Sequence, residues 1–85
     1  MENSKHQIKI SPKFFKDVCS GIKQFELRFN DRQYKVGDLV QMMEFEKDEY
    51  SGLFVIVEIT YMIENYNGLS IGYCIFGFKI ITKHC

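Results

Sequence analysis

Long apolar runs, paired cysteines, low-complexity tracts and any excess of charge are all missing from this chain, and each absence narrows what it can be. No apolar stretch approaches the roughly 18 residues a membrane-spanning helix needs. The longest clean one, Leu53 to Val57, has the length of a strand. The polar start MENSKHQ predicts no signal peptide. Cysteines number three, at Cys19, Cys74 and Cys85, with no CxxC spacing. That count suits neither a disulfide framework nor a zinc site, and predicts a reduced, cytoplasmic protein with no metal and no cofactor. No internal repeat or linker divides the 85 residues, so residues 1–85 are expected to share one core as a single domain.

Net charge is zero, yet the charges are unevenly placed. Residues 1–35 hold eight Lys/Arg against four Asp/Glu, and the remainder holds three against seven. Such a split can present a positive face to a phosphate backbone, or it can be spread over a mixed solvated surface. The composition, 46% hydrophobic with thirteen aromatic residues, is that of a folded domain.

Periodicity supplies the elements. His6 to Ile10 alternates as a strand with Ile8 and Ile10 on one face. Ser11-Pro12 is a helix-start signal, since a serine hydroxyl can cap free amides and proline at the first helical position loses no needed donor. Phe14, Phe15, Val18 and Cys19 then follow at helical spacing, and Gly21 can end the helix in a left-handed conformation. Gln24 to Phe29 alternates again, with Phe25, Leu27 and Phe29 predicted to face the core and Glu26 and Arg28 solvent. Turn chemistry at 30–33 and Val36-Gly37-Asp38 precedes a strand from Leu39 to Phe45, and Lys47 to Gly52 reads as a turn. Leu53 to Ile63 is the strongest strand, predicted to hold Leu53, Val55, Val57, Ile59, Tyr61 and Ile63 on one face. Asn65 to Ser70 connects it to a last strand, Tyr73 to Ile81. One helix after the first strand, then four strands with short turns, predicts an α+β domain on a small, strongly curved or closed sheet. Closure would remove the sheet edges.

The densest run of hydrogen-bonding heads is GIKQFELRFNDR, Gly21 to Arg32. A salt-bridged strand face or a binding site would each produce it. His6 at a strand start reads as a surface or satisfied residue, His84-Cys85 as a frayed end, Cys19 and Cys74 as core, and Gly37-Asp38 as a turn device.

Across His6 to Asp38 the chain reads H-x-x-K-I-x-P-x-F-F-x-x-V-x-x-G-x-K-x-F-E-L-R-x-N-D-R-x-Y-x-V-G-D. Later landmarks are Glu44-Phe45, Tyr50-Ser51-Gly52, Ile59-Thr60-Tyr61, Gly68-Leu69 and Gly72-Tyr73. In this order they resemble the short ASCH-like proteins of bacteria and phages, within the PUA superfamily. That resemblance implies a small PUA-like β-barrel of about five strands with one short helix after the first strand. It also implies a cleft for RNA or a nucleotide near Gly21-x-Lys23-x-x-Glu26-x-Arg28. In such a cleft Arg28 and Arg32 would grip phosphate, Lys23 would act as a point charge, Glu26 or Asp31 would accept hydrogen bonds from base or ribose, and Tyr34 would stack on a base. Lys23 must then precede the strand, because strict alternation would turn it away from Glu26 and Arg28.

Some ASCH-type proteins remove the acetyl group from acetylated cytidine, using a lysine followed three positions later by a threonine nucleophile. Here Lys23 fits and Glu26 stands at the threonine position, which favours binding over catalysis, with Lys23 and Glu26 as the acid/base pair if the chain is a hydrolase. Leu53 stands where relatives carry arginine. A protein-interaction role through exposed aromatics such as Tyr50 and Tyr66 is the third reading.

Overall fold

The computed structural model describes residues 4–85. Five strands and one helix follow in the order β1 (Lys5–Ile10), α1 (Pro12–Cys19), β2 (Phe25–Phe29), β3 (Leu39–Glu46), β4 (Glu49–Glu64) and β5 (Tyr73–His84). They form one mixed sheet in the spatial order β1-β3-β4-β5-β2, in which only β1 and β3 run parallel. The sheet curls into a half-barrel whose two edges are β1 and β2. These edges share no ladder, so the expected closure stops short. Among the described residues one hydrogen bond spans the seam: Arg28 Nη2 donates to the Lys9 carbonyl at 2.8 Å.

Curvature comes from bulges, which add a residue to one strand and increase its local twist. Between the pairs Ile59↔Phe78 and Tyr61↔Gly77, β4 advances two residues while β5 advances one. Thr60 is the extra residue, and it reverses the alternation. Val55, Val57 and Ile59 point inward before it; Met62 turns inward after it, leaving Tyr61 and Ile63 exposed. The predicted single face from Leu53 to Ile63 is therefore broken at the bulge. The predicted turn from Lys47 to Gly52 shrinks to Lys47-Asp48, both left-handed (φ 53° and 61°), the backbone a two-residue hairpin favours. Residues 49–52 join β4, and Gly52 (φ 95°) lies at the irregularity opposite Glu44.

Helix α1 packs against β3 and buries Phe15 and Val18. Phe14, expected on the same face, is nearly half exposed. The Ser11 hydroxyl makes no capping bond. Its carbonyl instead accepts the amides of Phe14 and Phe15, while Gly21 (φ 82°) closes the far end as predicted. Strand β5 runs three residues beyond its predicted end and carries Cys85 to the end of α1, where it forms a disulfide with Cys19. The expectation of three free thiols and a frayed His84-Cys85 is overturned: β5 pairing holds His84 opposite Phe54, and Cys74 alone stays free and buried.

The largest departure is in β2. Its register with β5 places Glu26 opposite Phe76 and Arg28 opposite Cys74, both fully buried partners. The charged face therefore points inward, and Phe25, Leu27 and Phe29 are each about half exposed. An edge strand borders the seam rather than the middle of the core, so its inner positions can hold polar groups that find partners there.

Candidate functional site

Glu26 is the centre of the inward polar face. Its carboxylate, 8% exposed, receives Lys23 Nζ on one oxygen and Arg28 Nε at 2.8 Å on the other. Lys23 lies before β2, where the helix-ending turn at Gly21 returns the chain, and its ammonium also donates to the Phe25 carbonyl at 2.7 Å. Phe14 and Phe25 flank that ammonium, with ring centroids at 5.5 and 5.2 Å. Arg28 reaches across the seam to Lys9. The group thus ties the free edge of β2 to the end of β1.

Donor capacity decides what this group can do. Both carboxylate oxygens of Glu26 are engaged by cations. Lys23 has three N–H donors and directs two of them at Glu26 and Phe25, leaving one. Arg28 has five and directs two at Glu26 and Lys9, leaving three. Two cations and one anion carry a net single positive charge, and the unused capacity of the two cations is entirely donor. An acceptor-rich or anionic ligand matches it.

A cleft of about 400 Å³ opens beside this group along the seam. The end of β1 and the start of α1 supply Lys9, Ser11 and Phe14, and β2 supplies Glu26 to Phe29. Ile10 and Tyr73 complete the lining. Polar heads and aromatic surface therefore meet in one concavity.

The other predicted residues fall elsewhere. Asp31 and Arg32 are exposed on the loop after β2 and join no ion pair among the described residues. Tyr34 is buried, its ring packed between His6 (4.7 Å) and Phe76 (5.0 Å), so it has no face to offer a base. Burial pushes its phenol above the ordinary tyrosine value, and the charges of Arg28 and Arg32 oppose that shift. Both guanidinium groups therefore lie within electrostatic reach of Tyr34. Tyr50 and Tyr66 are exposed at opposite ends of β4.

Sequence reasoning missed Lys9, Phe14 and Tyr73, which reach the cleft from three separate elements. It also missed the partner of His6. Asp38, buried in the Gly37-Asp38 turn, accepts from His6 Nε2 at 2.8 Å and from the amides of Ser4 and Lys35 at 3.0 Å each. Burial alone would raise the Asp38 carboxyl, but these hydrogen bonds and the charge of His6 hold it below the usual aspartate value. This pair fastens β1 to the turn before β3. It is the structural role that the turn reading expects, with the histidine added.

Among known families, that of the domain of unknown function DUF3850 matches residues 5–78. The chain belongs to this family. The matched span takes in the whole of the Lys23–Glu26–Arg28 cluster and every residue lining the cleft. No curated protein matches the DUF3850 chain. Among its described residues no group of His, Cys, Asp or Glu could hold a metal ion, and no helix is long and apolar enough to cross a membrane.

Proposed function

We propose that this DUF3850 domain binds RNA or a nucleotide in the seam cleft, and that its half-barrel is a PUA-like fold of the ASCH type. The observation that carries the reading is the set of unused donors on Arg28, at the wall of a cleft that also presents Phe14 and Tyr73. Nucleotides combine an anionic phosphate with a flat base, and those are the two surfaces the cleft offers. Glu26 works here as a positioning residue, holding both cations in place while its own oxygens stay occupied. Arg32, on the exposed loop after β2, would add a second phosphate contact for a longer strand. The motif order shared with ASCH-like proteins and the helix inserted after the first strand support the fold assignment. Within this reading the domain acts in the cytoplasm, where the Cys19–Cys85 pair would be kept reduced.

Fluorescence anisotropy with short single-stranded RNAs, hairpins and labelled mononucleotides tests the proposal. Binding at low salt that weakens with added salt, and is lost in an Arg28→Ala/Arg32→Ala variant, is the expected result. Absence of binding at low salt, or unchanged binding by the variant, refutes it.

A second reading rests on the direct contact between Lys23 and Glu26, an ammonium and a buried carboxylate placed to exchange a proton. It makes the chain an amidohydrolase of a modified nucleoside. Acetylated cytidine and related amides would then be turned over, and Lys23→Ala would abolish the turnover. Intact substrates after prolonged incubation exclude it.

A further inference from the structure

The reversal of β2 has a counterpart on the outside of the sheet. Residues opposite one another in adjacent strands share a face, so the two registers define a grid across β2, β5 and β4. One row is Phe25, Gly77 and Tyr61; the next is Leu27, Ile75 and Ile63; Phe29 and Tyr73 end the patch. Its side chains are all apolar or aromatic, with no formal charge among them. Apart from Ile75, which is half-buried, they are 38–67% exposed. Gly77 adds no side chain between Phe25 and Tyr61, and Phe29 meets Tyr73 edge to face at 5.5 Å.

We infer that this outer face of β2, β5 and β4 is the interface of a two-fold homodimer. Taking about 200 Å² for a whole aromatic side chain and somewhat less for Leu or Ile, the grid exposes roughly 600 Å². Two copies would bury about 1,200 Å², the lower bound for a specific protein interface. A patch of this size lies at the upper end of what monomers expose, where such patches are often functional. A nucleic acid is the poorer occupant, because each phosphate would need a cation the grid does not contain. A second copy satisfies it on both sides. With the two-fold axis lying along the Leu27–Ile75–Ile63 row, aliphatic side chains meet aliphatic ones, and the Phe25/Tyr61 end of one copy meets the Phe29/Tyr73 end of the other. Glu26 and Arg28 lie on the opposite face of β2 and stay in place, while Leu27, Phe29 and Tyr73 belong both to this patch and to the cleft lining, so the dimer covers one rim of the cleft.

Sedimentation velocity over a rising concentration series tests the inference on the full chain. The expected result is a shift toward twice the 10.1 kDa of one chain, accompanied by a melting temperature that rises with concentration. Leu27→Glu and Tyr61→Glu each place a carboxylate in the centre or at one end of the interface and are expected to hold the protein at the mass of one chain. Tyr61 is two-thirds exposed, so its variant keeps the fold, verified by circular dichroism, even where Leu27→Glu does not. A wild-type chain that sediments at 10.1 kDa at every concentration overturns the inference, as does a dimer that survives in a folded Tyr61→Glu variant.

Discussion

Replacing Glu26 by glutamine removes the one negative charge between Lys23 and Arg28 while keeping the side chain's length, and it should move stability and ligand binding in opposite directions. One bond keeps its cationic donor on the amide oxygen, and the other is lost because the amide NH2 cannot accept from the second cation. A hydrogen bond to a charged group is worth about 1.5–3 kcal/mol, so the lost bond sets the scale. Lys23 and Arg28 are 14% and 30% exposed, so water recovers part of the loss. A net cost of about 2 kcal/mol follows, lowering the melting temperature of a domain this size by about 10 °C. Binding should strengthen. A unit charge about 5 Å from an incoming anion contributes about 3 kcal/mol at an effective permittivity near 20, and the open cleft reduces that to about 1 kcal/mol. Removing the repulsion from Glu26 therefore tightens a phosphate-bearing ligand about fivefold, read as fluorescence anisotropy beside a thermal melt. A folded Glu26→Gln variant that binds more weakly than wild type would refute the positioning role and make Glu26 a direct acceptor for the ligand.

Asp38 links pH to stability. Its carboxyl titrates below the unfolded value near 3.8, so its contribution is complete above that value and is lost as pH falls through the folded one. Urea midpoints measured from pH 6 down to about 3 should fall, and Asp38→Asn should flatten that fall while costing about 1–3 kcal/mol at neutral pH, because the new amide faces donors that the carboxylate accepted. A variant as stable as wild type at neutral pH would contradict the hydrogen-bond assignment. The Cys19–Cys85 link makes a separate prediction: protein prepared without reductant should show no rapidly reacting thiol when folded and a single one, Cys74, after denaturation. Three reactive thiols on denaturation would mean the pair is reduced.

Element order was legible in the sequence because period is a local property. The helix appeared where Phe15 and Val18 are spaced by three after Ser11-Pro12, and the strands where β-branched residues alternate. What the sequence did not reveal is which face of a strand lies inside, because that depends on the neighbours a strand acquires in the sheet. Phe25, Leu27 and Phe29 have the pattern of a core face, and only the register with β5 turns them outward. Thr60 is invisible for the same reason: a bulge is a mismatch between two strands, and neither strand shows it alone. Tyr34, read as a stacking platform, fills the space between His6 and Phe76 that a curled sheet leaves beneath its loop.

These reversals bear on one another. Had β2 buried its aromatic face, Glu26 and Arg28 would stand in solvent as an exposed pair worth little, and the seam would be sealed by apolar side chains. With the strand turned over, the cations sit in the reduced permittivity of the seam, where an ion pair and a bound anion both count for more. The displaced apolar side chains then need cover of their own on the outer face. One register choice in a five-residue strand thus creates both the polar cleft and the apolar patch. Shifting β2 by a single residue against β5 would exchange them, and Gly72 makes room for the observed register. The Phe29 ring lies so close to it that a Cβ built there would fall 2.5 Å from a ring carbon, so any other residue at 72 would force that ring to move.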